Sequence, residues 1–367
     1  MKITIPQPNL LKTLQTVEHT VNDRSTLPIL ANILLETSEQ ELTLTATDLD
    51  VGIQCRFPLT PPMDAGAVTL PARRLAAIVR ELSAELVTLE AKKNHTATLT
   101  CGASSFRLLG LPAEDFPALP QIQEGHAVSL PQGALKTIIT QTAHAMSIEE
   151  TRFVLNGALM TTQKNELVMV ATDGRRLAVA HAALNEPPKQ AVHAVIPSKT
   201  VRELGRLLQP EDTEDVTVAS LKENQLAFRF GAVTVLTRLI DGQFPQYEKV
   251  IPPPTKRSVS CNRQTLINAI RRASLMTTAT SQAVLFELGP NRLVVSKESS
   301  ELGSAREELA ATYTGEAMTV AFNPEFWLDV LKVLDDEEIA IELSGPDRPA
   351  VIRQPGFVFL VLPMKIS

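Results

Sequence analysis

The chain has 367 residues, 44% of them apolar and 21% charged, with a formal net charge of −6. That length predicts two or three domains with real hydrophobic cores, and the composition excludes a mainly disordered chain. No apolar run reaches about 18 residues, which argues against a membrane-spanning helix, and mild acidity argues against a non-specific polycation.

One pattern recurs from end to end: alternating apolar residues, then Pro or Asn, then apolar residues at helical spacing. It first reads ITIP ending at Pro6, followed by Leu10, Leu11, Leu14, Val17 and Val21 on one face of a helix predicted over 8–21. VTLP at Pro71 precedes Leu75, Ile78, Val79 and Leu82, a helix over 72–82. VSLP at Pro131 opens 132–146, and AVIP at Pro197 opens 198–208. VSCN at Asn262 opens 263–276, and VAFN at Asn323 opens 324–334, where Trp327 is expected in the core. The alternation is a half-buried strand; Pro and Asn both suit the entry to a first helical turn. Strand-like runs follow each helix, for example ANILLE and ELTLTATDLDVGIQCRF. The successive spacings of 65, 60, 66, 65 and 61 residues therefore give six β-α-β-β-β units.

The units pair. Ala46-Thr47-Asp48 returns as Ala171-Thr172-Asp173, and Phe116-Pro117 as Phe244-Pro245. Three similar domains are expected, over 1–125, 126–253 and 254–367, with linkers at QIQEGH and at Pro252 to Pro254.

Catalytic and metal signatures are missing. Cys55, Cys101 and Cys261 form no C-x-x-C pair, the six histidines are scattered, and no P-loop or nucleophile-elbow motif occurs. Glu149-Glu150, Asp335-Asp336 and Glu337-Glu338 read as solvated charge beside helices. No catalytic residue, metal or cofactor is expected. The N-terminus lacks the unbroken apolar core of a signal peptide, so a cytoplasmic protein is expected.

Charge is segregated. The six predicted helices carry +7, so with a total of −6 the remainder carries −13. Helices sharing one side would make a basic face suited to phosphates without base readout. Six helices about 10 Å apart would close around a hole of about 9 Å, and twelve around about 28 Å. A DNA duplex is roughly 20 Å across, so one chain supplies half a ring and a head-to-tail dimer completes it.

The segments RSTLPILANILLE, LTLTATDLD, VTLPARRL, FRLLGLPAEDFP, TRFVLNGAL, VATDGRRLA, LIDGQFPQYEKVIP, FNPEFWLDVL and VLPMK stand in order along the chain. Together they resemble the bacterial DNA polymerase III beta subunits, the β sliding clamps. The resemblance implies an α+β DNA clamp fold of three similar domains, each of two β-α-β-β-β units, with helices lining a ring. It implies a non-catalytic processivity factor that encircles double-stranded DNA as a homodimer. A clamp loader opens the ring. The replicative DNA polymerase, and other polymerases or repair proteins, bind through a short apolar motif. It also implies a peptide pocket of Leu155, Thr172, Gly174, Arg175, Arg176, Leu177, Pro245, Lys249, Val250, Val361, Leu362, Pro363 and Met364. The family often has His at Arg175, Arg at Lys249 and Met at Leu362, and often Gln at Glu149. DNA contacts are implied for Arg24, Arg73 and Arg152, with Lys199 added, and a dimer interface for Arg74, Phe106, Leu108, Leu275 and Met276. Arg74 is expected to face acids near Glu298 to Glu308. The alternatives are a monomeric interaction scaffold without DNA, and a nuclease, which would need clustered carboxylates for metal ions.

Overall fold

The computed structural model describes residues 1–22, 25–38, 40–59, 64–83, 86–120, 127–211 and 213–365. Each copy of the recurring pattern folds as β-α-β-β-β. The first holds β1 (Lys2–Pro6), α1 (Gln7–Val17), β2 (Asn32–Thr37), β3 (Glu41–Thr47) and β4 (Val51–Pro58). The second holds β5 (Gly66–Pro71), α2 (Ala72–Glu81), β6 (Leu86–Ala91), β7 (Thr96–Cys101) and β8 (Ser104–Leu109). The third holds β9 (Ala127–Pro131), α3 (Gln132–Ala143), β10 (Gly157–Gln163), β11 (Glu166–Thr172) and β12 (Arg176–Ala183). The fourth holds β13 (His193–Pro197), α4 (Ser198–Leu207), β14 (Asp215–Leu221), β15 (Gln225–Phe230) and β16 (Val233–Arg238). The fifth holds β17 (Ser258–Asn262), α5 (Arg263–Ser274), β18 (Val284–Gly289), β19 (Arg292–Ser299) and β20 (Gly303–Ala310). A two-residue strand, β21 (Thr312–Tyr313), precedes the sixth copy: β22 (Met318–Phe322), α6 (Pro324–Lys332), β23 (Glu338–Leu343), β24 (Ala350–Gln354) and β25 (Phe357–Val361).

The residues that end each first strand also start each helix. Pro6, Pro71 and Pro197 sit at the helix entry with φ of −58°, −57° and −58°, the value the pyrrolidine ring imposes. Asn262 and Asn323 accept instead, from the backbone N–H of Thr265 and of Glu325, each at 2.9 Å. Helix ends are less well marked: α1 stops at Val17 and passes into a tight turn over Glu18–Thr20.

Pairing within each couple of repeats is reciprocal. β1 joins the strands of the second repeat, giving the order β1-β6-β7-β8, while β5 joins those of the first. The same exchange puts β9 beside β14, β13 beside β10, β17 beside β23 and β22 beside β18. All these pairs are antiparallel, and neither repeat of a couple completes its sheet alone.

The chain forms two compact units. One comprises Met1–Gln132, Pro188–Gln190 and Glu211–Leu239. It holds the four-stranded sheet and the eight-stranded order β5-β2-β3-β4-β16-β15-β14-β9, joined at the β4–β16 pair. Its helices α1 and α2 pack together, and the Gln7 side-chain amide donates to the Val79 carbonyl at 2.6 Å.

The other unit comprises Gly133–Pro187, Ala191–Pro210 and Ile240–Ser367. It holds the nine-stranded order β13-β10-β11-β12-β25-β24-β23-β17-β21, joined at β12–β25, and the order β20-β19-β18-β22. Trp327 is fully buried and packs against Phe286, Phe322 and Phe359 at centroid distances of 5.3–6.5 Å, the last two edge to face. Cys55, Cys101 and Cys261 are buried and free, and burial pushes the Cys261 thiol up to about 12. No helix among the described residues is long and apolar enough to cross a membrane.

Candidate functional site

The β11–β12 turn is the first part of the site. Thr172 Oγ1 donates to the Arg176 carbonyl at 2.6 Å and accepts from the Gly174 N–H at 3.0 Å. Asp173 Oδ1 accepts from the N–H groups of Arg175 and Arg176 at 2.8 and 3.0 Å. A short polar side chain bonding two residues ahead is what lets Thr and Asp dictate such a turn. Gly174 has φ +86°, and a Cβ there would lie 2.7 Å from Arg152 Nη1. The Ala46-Thr47-Asp48 repeat builds the same bonds in the first unit: Leu49 N–H to Thr47 Oγ1, Val51 N–H to Asp48 Oδ1, and Thr47 Oγ1 to the Val51 carbonyl.

Arg176 fixes the turn to α6. Its side chain is only 10% exposed, its Nε donates to Asp173 Oδ2 at 3.1 Å, and its Nη1 donates to Asp329 Oδ2 at 2.8 Å. The guanidinium also lies 4.4 Å above the Phe326 ring. Its charge is thus consumed by two carboxylates and an aromatic face.

Beside this turn is a groove of about 670 Å³. Ten residues expected together line it: Leu155, Thr172, Gly174, Arg175, Arg176, Leu177, Pro245, Lys249, Val250 and Leu362. Its floor rests on a core of Val168, Val170, Val179, Tyr247 and Leu360. The Tyr247 hydroxyl accepts from the Gln163 amide at 3.1 Å, and burial raises its pKa. Val361, also expected in the pocket, is fully buried and does not line it. Strand alternation explains this: Leu360 and Leu362 face the groove, and Val361 between them faces the other side of β25. Pro363 and Met364 lie outside the lining, and Met364 N–H reaches the Ala321 carbonyl at 2.8 Å.

Gln246, Tyr247, Pro252, Pro253, Ser344, Arg348, Pro349 and Leu360 complete the lining without having been expected. Leu360 was open to the alternation argument. Pro252 and Pro253, read as linker, are wall, and the Pro252 carbonyl is held by the Arg353 guanidinium, itself 3.2 Å from Glu342. Ser344, Arg348 and Pro349 come from the β23–β24 loop, which no local signal connects to the turn.

On the other side of β25, His144 stacks on Phe359 at 5.6 Å. Burial, aided by the Arg176 cation, lowers its pKa from 6.5 to about 4. The unfolded chain therefore binds this proton at a higher pH than the folded one. The stability contribution is complete above about pH 6.5 and is lost as pH falls toward 4, amounting to about 3 kcal/mol in all. His144→Leu is expected to flatten this acid limb, as read from urea midpoints between pH 7 and 4. An unchanged slope would refute the assignment.

The remaining expected residues do not line the groove. Arg24 lies outside the described residues. Arg73 is exposed on α2 and Lys199 is half-buried on α4. Arg152 is engaged at the groove turn, donating to the Asp173 carbonyl at 2.9 Å and lying 3.5 Å from Glu149. Phe106 (37% exposed) and Leu109 (69%) stand out from β8, whereas Leu108 (7%) points into the core. Arg74 is exposed on α2, Leu275 is 71% exposed after α5, and Met276 beside it is half-buried. β8 and β20 are each the last strand of a sheet. Near β20, Glu307 pairs with Arg272 at 2.6 Å and Glu308 with Arg306 at 2.9 Å. Among the described residues, no group of three or more His, Cys, Asp or Glu side chains could hold a metal ion.

Comparison with known proteins agrees over the whole length. The N-terminal, central and C-terminal domain families of the DNA polymerase III beta subunit match residues 1–120, 129–246 and 248–364. The beta sliding clamp of Bacillus subtilis is 33% identical over 378 residues, and that of Vibrio cholerae 32% over 369, each covering all of both chains. The solved B. subtilis sliding clamp superposes with a TM-score of 0.93 at 33% identity, again over all of both chains. A Pseudomonas aeruginosa sliding clamp bound to griselimycin superposes at 0.94 with 32% identity and the same full coverage. With the six repeats, the three matched domains and full-length structural agreement in hand, the chain belongs to the DNA polymerase III beta subunit family of sliding clamps.

Proposed function

We propose that two copies of this chain join head to tail into a ring that encircles duplex DNA and tethers the replicative polymerase without catalysing a reaction. The observation that carries this reading is the pair of raw sheet edges. β8 ends one sheet with Phe106 and Leu109 exposed and with Arg107 on it and Arg74 on the helix of the same repeat. β20 ends another, and its hairpin with β19 holds four carboxylates against two cations over residues 297–308. Glu298 and Glu301 of that hairpin are exposed. Two unlike edges on one chain favour a heterologous, closing contact, and pairing them removes the edge liability. Leu275 and Met276 would pack beside β20, and Leu108 supports the β8 side from within.

The basic helices then face the duplex. Arg24, Arg73 and Lys199 supply exchangeable phosphate contacts, while Arg152 contributes less because Glu149 and the Asp173 carbonyl already engage it. The domains run over 1–125, 126–253 and 254–367. A clamp loader opens the ring in the cytoplasm. The apolar groove takes a short peptide motif from polymerases and repair proteins, since aliphatic walls with a few polar groups suit such a segment.

Loading onto closed circular DNA tests the ring. The dimer should persist on the circle and leave promptly once a restriction enzyme linearises it. Equal loss from circular and linear DNA would overturn the proposal. For the groove, Leu177→Ala should weaken an apolar peptide about tenfold or more in a titration, as expected for a large-to-small change in a buried contact. Unchanged affinity would refute the peptide assignment.

A further inference from the structure

The groove's cations are not equivalent, and this difference points to the chemistry of what binds. Four basic side chains line it: Arg175, Arg176, Lys249 and Arg348. Arg176 is neutralised by Asp173 and Asp329. Arg175, Lys249 and Arg348 are exposed, and none has an ion partner among the described residues. No Asp or Glu lines the groove. Nearby Glu248 and Asp347 both lie outside the lining. Three cations therefore rim an apolar trough that no carboxylate of the chain lines, and of the three only Arg175 also borders a neighbouring cleft lined by Glu149, Asp173 and Glu325.

We infer that the groove selects peptides in which acidic side chains flank the apolar residues, with Arg175, Lys249 and Arg348 as the selecting groups. The inference rests on the peptide-groove reading and adds the charge of the partner. Leu155, Leu177, Val250, Leu360 and Leu362 define where the apolar side chains go, and they disfavour a nucleic acid strand as the occupant. The cations come from three separate places: the β11–β12 turn, the segment after Pro245 and the β23–β24 loop. Each of the three lines the trough, so an Asp or Glu flanking the apolar residues meets positive charge. Rim charges of this kind act on partner choice and association rate, and they weaken with salt.

The experiment uses the full-length protein and three peptides with acetylated N-termini and amidated C-termini. They share one apolar core and differ only in flanks of Asp, Ser or Lys. At low salt the Asp-flanked peptide should bind about tenfold tighter than the Ser-flanked one, the sum expected of a few exposed pairs. The Lys-flanked peptide should bind weakest, and the three should converge at high salt. In the combined variant Arg175→Gln, Lys249→Gln, Arg348→Gln, checked for an unchanged melting profile, Asp and Ser flanks should bind equally. Binding of the Ser-flanked peptide with no Asp advantage would overturn this inference and leave the groove reading standing. An Asp advantage that survives in the combined variant would also overturn it. Failure of every peptide to bind would overturn the groove reading and this inference together. So would displacement of bound peptide by a short oligodeoxynucleotide at equal concentration.

Discussion

Replacing Phe106 and Leu109 together by Asp is expected to turn the dimer into a folded monomer that no longer stays on circular DNA. Both side chains are exposed on β8, so the isolated chain loses little packing. In the ring, however, the two carboxylates would face the acidic β19–β20 hairpin across a desolvated edge. Each would cost several kcal/mol there, enough to shift association by several orders of magnitude. Light scattering at micromolar concentration reads the mass, and release from closed circular DNA reads the ring. A double variant that remains dimeric would sink the head-to-tail arrangement. Leu108→Asp makes a useful contrast: Leu108 is buried, so that change should unfold the sheet itself and lower the melting temperature instead.

Arg176→Met is expected to cost about 2–3 kcal/mol of stability and to weaken peptide binding at least tenfold. The reason is what it leaves behind. Asp173 and Asp329 would lose their shared cation, and the turn that carries Thr172, Gly174 and Arg175 would lose its tie to α6. Asp329 is partly exposed, which places the loss toward the lower end of the range for such pairs. Adding Asp329→Asn should restore part of the stability, and a denaturation cycle over the four proteins measures the coupling directly. Independent, additive losses would show that the ion pair does not hold the turn.

Much of this was legible in the chain itself. Pro6, Pro71, Pro131, Pro197, Asn262 and Asn323 mark strand-to-helix passages by local chemistry alone, and all six helices start within one residue of them. The recurrence of Ala-Thr-Asp marked the repeat, whereas the turn that its Thr and Asp build emerged only with the fold. Long-range pairing was not legible: nothing in ITIP says that β1 pairs with β6 rather than with its own repeat. The first helix was expected to run on because Val21 continues the apolar period four residues after Val17, while the backbone tightens over Glu18–Thr20. Val361 is buried on the face of β25 opposite Leu360, which alternation anchored at Leu362 makes legible. Gln121 to His126, expected as a linker, lies outside the described residues. Arg348 and Ser344 reach the groove only through the fold.

The two joints, β4–β16 and β12–β25, decide how the chain could be cut. A fragment holding only the third and fourth repeats would lose β4 from one sheet and β25 from the other. It would carry two bare strands, Val233–Arg238 and Arg176–Ala183, each ready to recruit another chain. Terminal fragments would carry one such strand each. The repeats are therefore not interchangeable beads but layers of a laminate, glued across the very places where a sequence comparison would put the scissors. Expression of the middle piece alone should give aggregates, and swapping segments between relatives should succeed only when both partners of a joint travel together.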